Sequence, residues 1–286
     1  MPIHQTKKEF VTRFAPSPTG RLHKGHAYSA LVAYGRAQKE GGRFLLRIED
    51  IDLYRCRNEY VEGIYEDLGW LGLKWEQPVR RQSEHMDAYN AALMKLGAMG
   101  VLYPCFCTRK DIQAEIDAAE SAPHGPDGPL YPRICHNRDD AERDKLIEGG
   151  TPHAWRLDLQ AALQRIGEPL MWADEIRGTI MAAPEELGDV VLARKDTPTS
   201  YHLSVVVDDA LQGVSHVIRG EDLFHATHIH AVLQKLLGLP TPSYHHHGLL
   251  LDDAGQRFAK RNKSVTLKSL RDAGEDPAAL CRELLN

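Results

Sequence analysis

Phe10-Val11-Thr12-Arg13-Phe14-Ala15-Pro16-Ser17-Pro18-Thr19-Gly20 passes from β-branched and aromatic residues into a loop of Pro, Ser and Gly, and helical spacing follows from about His23 to Lys39. A strand, a turn and a helix in that order open an α/β fold. Gly41-Gly42 ends the helix, and Phe44-Leu45-Leu46-Arg47-Ile48 has the apolar density of a parallel strand buried on both faces. Glu49-Asp50-Ile51-Asp52 then falls at that strand's carboxyl end, the edge where open α/β sheets bind ligands. Helical spacing returns at about Glu59 to Leu71 and Glu84 to Gly100.

Beyond this first half, residues 1–104, the texture changes. From Cys105 to about residue 185 the chain has a Pro/Gly-rich loop (Pro123 to Pro132), a charged helical piece near Asp139 to Glu148, and short strand-like runs at Ala154 to Leu159 and Ile176 to Met181. This stretch reads as an α+β insertion. Apolar segments return at Asp189 to Leu192, Val205-Val206-Val207 and His216 to Arg219. A helix from about Ala226 to Leu237 precedes the run His245 to Leu251. Residues 186–286 thus read as the second half of the same sheet, followed by a basic loop, Arg257 to Lys263, and a short helical tail.

The 286 residues are 42% hydrophobic and 26% charged, which excludes disorder and collagen. No run reaches the roughly 18–20 apolar residues of a membrane span, and the first eight residues lack a secretory core, so the expected location is the cytoplasm. A net charge of −5 excludes a uniformly basic nucleic-acid coat but permits a local basic groove. Five cysteines, three of them at Cys105, Cys107 and Cys135, suit a reducing compartment and a metal site better than a disulfide framework.

Three groups of residues carry chemistry. His23-Lys24-Gly25-His26 opens the first helix, where unpaired backbone N–H groups attract anions. Gly25 lets a nucleotide approach closely, and His23 and His26 can donate to a phosphate as charge grows on it. Taken alone, they read more readily as surface histidines, since so short a pattern arises often by accident. The second group is Arg257-Phe258-Ala259-Lys260-Arg261-Asn262-Lys263-Ser264, whose lysines could clamp a leaving pyrophosphate, although a bare charge run is often just solvated. The third is the cysteine set: three thiolates at this spacing can hold a tetrahedral zinc.

With the Arg13 to Gly20 stretch, these pieces resemble class I aminoacyl-tRNA synthetases of the glutamyl type. The family's H-x-G-H element is matched by His23 to His26. Its K-M-S-K-S loop aligns either at Arg257 to Arg261, the preferred choice, which makes Lys260 the phosphate contact, or at Lys260 to Ser264, which holds Lys263 in reserve. Arg47-Ile48-Glu49-Asp50-Ile51-Asp52 resembles R-I-E-D-T-D, and this implies that Glu49 holds the substrate's ammonium group. Arg13, Ala15 and Ser17 match the positions that grip the carboxylate and amino end, and Tyr201 and Arg219 match the other pocket residues. ATP would meet His23, Gly25, His26 and Lys260. Val205 departs from the pattern, since glutamyl enzymes often carry asparagine there, and this implies weaker binding of free glutamate.

The resemblance is closest to a shortened branch of the family that pairs C-x-C with Y-x-x-x-C, matched here by Cys105, Cys107, Tyr131 and Cys135. It implies one structural Zn2+ per chain, with His136 and His124 as competitors to Tyr131 for the fourth position. Ordinary members continue into a large helical domain that reads the anticodon, whereas here only residues 265–286 follow the loop. The expectation is therefore a Rossmann-like parallel sheet with a zinc-bearing insertion and no anticodon-binding domain. The branch activates L-glutamate with ATP and Mg2+ without needing tRNA, then esterifies it to queuosine in the anticodon of tRNA(Asp). Rival readings are a truncated enzyme that charges tRNA(Glu), an inactive synthetase-like binding protein, and a related nucleotidyltransferase. The expected state is a monomer.

Overall fold

In a computed structural model that describes residues 9–118, 124–126, 128–250 and 265–286, the opening unit forms as its sequence implies. Strand β1 (Val11–Phe14) is followed by helix α1 (Lys24–Glu40) and strand β2 (Arg43–Ile48), which pairs in parallel with β1, Val11 opposite Arg43 and Phe14 opposite Leu46. Side chains alternate across β2: Phe44, Leu46 and Ile48 join the core under α1, while Leu45 packs with Val11 on the other face. Buried Ala27, Ala30, Ala33 and Ala37 recur three and four apart along α1 and let it lie close to the sheet. The helix ends at Gly41 in the left-handed region, φ 63°. A Cβ on Gly42 would sit 2.1 Å from the Phe10 carbonyl oxygen, so that position requires glycine.

Helix α2 (Asn58–Trp70), the short strand β3 (Arg80–Arg81) and helix α3 (Met86–Ala98) complete the first half. β3 pairs in parallel with β2. The insertion comprises β4 (Leu102–Cys105), α4 (Arg109–Ala118), β5 (His124–Gly125), β6 (Gly128–Pro129), α5 (Asp140–Glu148), β7 (Ala154–Leu157), α6 (Leu159–Ile166), β8 (Met171–Asp174) and β9 (Gly178–Met181). β7 lies between β4 and β10 (Val191–Ala193), antiparallel to both. Neither α4 nor α5 buries a residue, and a small cluster of Tyr103, Cys105 and Cys135 forms a local core.

The second half runs α7 (Tyr201–Leu211), β11 (His216–Gly220), α8 (Ala226–Leu237), β12 (Ser243–His247), α9 (Leu267–Asp272) and α10 (Pro277–Leu285). β11 and β12 are parallel, and β11 lies against β1, where the Ser215 N–H donates to the Val11 carbonyl at 2.9 Å. Among the described residues, no helix is long and apolar enough to cross a membrane.

Two expectations change. Val205-Val206-Val207 lies in α7, not in a strand. Leu203 through Asp209 are buried without interruption, so burial all round the helix overrides the β-propensity of valine. The stretch 105–185 also does not stay apart from the main sheet. Its β8 pairs in parallel with β12, Asp174 opposite Tyr244, and β9 pairs with β8, so this hairpin extends the second-half sheet.

Candidate active site

A cavity of about 480 Å³ opens at the carboxyl ends of β1, β2, β11 and β12, within the size range of small-molecule sites. Arg13, Ala15, Ser17, His23, Gly25, His26, Glu49, Tyr201 and Arg219 all line it. Helix α1 aims its N-terminus here. The His23 backbone N–H donates to His26 Nδ1 at 3.2 Å, which makes Nε2 the N–H of a neutral His26 ring and suits it to donate to a phosphate oxygen. The two rings lie 3.7 Å apart. Lys24 turns away to Glu283 of α10 at 2.7 Å. Described residues on both sides of the basic loop reach this region: Leu250 lines the cavity, and Thr266 forms a bridge with His23. Lys260 and Lys263 lie outside the described residues.

Behind the cavity is a buried charge network. Arg47, fully buried, donates to Asp209 at 2.8 Å, Gln212 at 2.9 Å and Glu49 at 3.1 Å. Burial alone would lower the proton affinity of Arg47, but Asp209, Glu49 and Asp208 outweigh it and raise it further. Arg13 places Nε and Nη2 on the two oxygens of Asp209, at 3.0 and 3.4 Å. Asp208 is held by Arg80 at 2.7 Å, Gln82 at 2.8 Å and the Tyr89 hydroxyl at 2.9 Å. Burial would raise the Asp209 carboxyl, yet Arg13 and Arg47 hold it below its usual range. For Glu49 the balance is reversed: burial prevails over Arg47 and Arg13, and its pKa rises.

Arg219 uses its fork almost completely within the protein. Nε donates to His246 Nε2 at 3.1 Å and Nη1 to the Tyr201 hydroxyl at 3.1 Å, while Nη2 donates to Thr227 Oγ1 at 2.6 Å and the Leu223 carbonyl at 3.0 Å. Four of the five N–H donors of a guanidinium are thereby engaged. The planar fork of Arg219 is thus largely taken up by protein partners. Arg13 has Nη1, and Arg219 the second N–H of Nη1, left to offer a ligand. Val205 lies in the apolar core and does not line the cavity.

The cysteines form a separate centre. The ligand sulfurs of Cys105, Cys107 and Cys135 lie within 4.8 Å of one another, with Cys107 and Cys135 3.2 Å apart. The Tyr131 hydroxyl stands 3.4 Å from Cys105 Sγ and 3.6 Å from Cys107 Sγ. A tetrahedral zinc at about 2.3 Å from each sulfur separates its ligands by slightly under 4 Å, so three thiols and a phenol fit it. His136 is engaged elsewhere, its Nε2 2.9 Å from Asp158, and no histidine among the described residues joins the cysteine group. Glu186, His225 and His228 also cluster. However, His228 Nδ1 already accepts from Trp172 Nε1 at 3.3 Å and the Ala183 N–H at 3.2 Å, which places the ring proton on Nε2 and leaves no lone pair for a metal.

Sequence reasoning missed Asp208, Asp209, Asp174 and His246. A signal for the first pair was present, since two acids in a valine-rich run with helical neighbours must be buried, and buried carboxylates need cationic partners. Asp174 and His246 carry no such local mark.

Residues 9–286 match the family described as tRNA synthetases class I (E and Q), catalytic domain. Over 276 residues the chain is 49% identical to a Rhodobacter capsulatus protein named glutamyl-Q tRNA(Asp) synthetase, covering 95% of this chain and 98% of that one. A Symbiobacterium thermophilum protein of the same name is 42% identical over 283 residues, covering 95% of this chain and 84% of its own. Among solved structures, a glutamate tRNA ligase from Elizabethkingia meningosepticum in complex with its amino acid matches with a TM-score of 0.80 at 28% identity, covering 96% of this chain and 60% of that chain. The cavity at the sheet's carboxyl edge, the H-x-G-H helix at its rim and these likenesses agree: the chain belongs to the class I tRNA synthetases of the E and Q group and spans their catalytic domain.

Proposed function

We propose that this chain activates L-glutamate with ATP, without requiring tRNA, and transfers it to queuosine in the anticodon of tRNA(Asp). The observation that carries the activation step is the convergence in one cavity of two guanidinium groups, Arg13 and Arg219, one carboxylate, Glu49, and the His23–His26 end of α1. This donor set matches a substrate with two carboxylates, one ammonium and a nearby phosphate. Glu49 takes the ammonium, and the arginines take the carboxylates. Identities of 49% and 42% to relatives that bear the glutamyl-Q tRNA(Asp) name support the choice of acceptor.

The glutamate α-carboxylate is ionised at pH 7 and needs no general base. One of its oxygens attacks the α-phosphorus of Mg2+-bound ATP in line, the bond to pyrophosphate breaks, and glutamyl adenylate remains. His23 and His26 donate to phosphate oxygens as charge builds, and Lys260 is assigned by sequence similarity to the same task. A queuosine hydroxyl then attacks the acyl carbon, AMP departs, and the hydroxyl proton passes to its phosphate. A second cavity of about 440 Å³ shares Tyr201 with the first and is lined by Tyr131, Arg156 and Arg194. We assign the acceptor nucleoside to it, because arginines beside an aromatic ring suit an unstacked base and its phosphates. A zinc held by Cys105, Cys107, Cys135 and Tyr131 would brace that wall.

The test is transfer of labelled glutamate to queuosine-containing tRNA(Asp) and to tRNA(Glu), beside pyrophosphate exchange without RNA. Labelling of tRNA(Asp) alone, with RNA-free exchange, is expected. Labelling of tRNA(Glu) alone would overturn the acceptor, and absence of exchange would overturn the activity.

A further inference from the structure

Part of what orients Arg219 lies outside the cavity. His246, on β12, and Asp174, at the end of β8, do not line it, and each is 2% exposed. His246 Nδ1 lies 2.7 Å from Asp174 Oδ2. A carboxylate can only accept, so the ring proton is on Nδ1, and Nε2 presents its lone pair to the Arg219 Nε–H at 3.1 Å. Thr227 closes the circuit: its hydroxyl accepts from Arg219 Nη2 at 2.6 Å and lies 3.3 Å from His246 Nε2. Asp174 is itself pinned, since Oδ1 accepts the Ile176 and Arg177 N–H groups at 2.9 Å each. Trp172 meets the imidazole edge-on, and Tyr244 stacks on it with 4° between the planes. Nothing in this set can rotate without leaving a buried polar group unpaired.

We propose that Asp174 and His246 form a positioning relay that fixes the guanidinium plane of Arg219 and thereby sets how tightly L-glutamate is held. The proposal rests on the glutamate reading given above. Burial, followed by the Arg219 charge, lowers the His246 pKa to about 3, so the imidazole stays neutral and can accept from Arg219 throughout the working pH range. The relay also explains why the β8–β9 hairpin belongs to the main sheet: β8 pairing with β12 brings the carboxylate beneath the histidine.

Two measurements test it. Side-chain 15N–13C correlation spectra of the native chain, with His246 assigned by its loss in His246→Gln, should show the Nδ1–H tautomer; the Nε2–H tautomer would overturn the relay. In glutamate-dependent pyrophosphate exchange, His246→Leu and Asp174→Leu should raise KM for glutamate at least about tenfold and leave KM for ATP within about twofold. His246→Gln, whose amide can accept from Arg219 and donate to Asp174, should recover KM to within about threefold. KM does not depend on the fraction of folded enzyme, so a merely structural role would lower the rate and leave KM unchanged, which would sink the proposal. If the native chain showed no exchange, the glutamate reading would fall, and the tautomer alone would decide the relay.

Discussion

Glu49 lines the cavity with its carboxyl held above the usual range by burial, against the pull of Arg47 and Arg13. As pH falls, the group takes a proton and loses the charge that pairs with an ammonium. The kcat/KM for glutamate should therefore decline on the acid side at a pH above the ordinary carboxylate value of about 4.3. Glu49→Gln should lower kcat/KM by about 10–100-fold, the loss of one charge-assisted contact, and remove that acid limb. A limb that persists unchanged in the variant would remove Glu49 from the role. At this scale the sequence was legible wherever a motif marked a residue: Arg13, Ser17, Glu49, Tyr201 and Arg219 do meet in one place. It was not legible where a residue acts through another, because the partners of Arg219 and Arg13 lie 27 and 196 positions away.

Among the elements, α2 carries an internal cost. Asp67 is fully buried, and neither of its oxygens has a hydrogen bond among the described residues; Arg271 of α9 stands 3.5 Å away. Burial raises its pKa to about 6 from 3.8. The folded chain thus binds the proton more tightly than the unfolded chain, so this group's contribution is greatest below about pH 4 and is lost as pH rises through about 6. Asp67→Asn should stabilise the protein by about 2 kcal/mol at pH 8, with the gain fading between about pH 6 and pH 4, as read by denaturant unfolding. A loss of stability at pH 8 would refute this account. Periodicity located α1, α2, α3 and α8 to within about two residues of their observed bounds. It failed at α7 because a helix buried all round has no polar face to set a period, and the valine run then favours a strand.

For the whole molecule, the cysteine cluster that could hold a metal is the testable staple. The exposed helices α4 and α5 add no core, so the fold of that region leans on the small cluster of Tyr103, Cys105 and Cys135, which a bound metal would reinforce. The purified chain should carry close to one zinc. Tyr131→Phe should release it to a chelator at least about tenfold more readily while Asp67 and the far core stay as stable as before. Retention equal to the native chain would exclude the phenol as a ligand. The α/β class was legible from strand–turn–helix order. The pairing of β8 with β12 was not, because strand partnership across 70 residues is decided by packing that no local pattern records.

The long reach of the buried charge network has a consequence for synthesis. Arg13 and Arg47 emerge early, and both depend on Asp209, 196 and 162 positions later. At ribosomal rates of about 5–20 residues per second, the nascent first half waits roughly 10–40 s before its acid partner appears. Throughout that interval β1 lacks the strand that lies beside it, and Arg13 and Arg47 lack the carboxylate that joins them. The nascent half-sheet is therefore the stage at which a chaperone or a slow ribosome matters most to this chain.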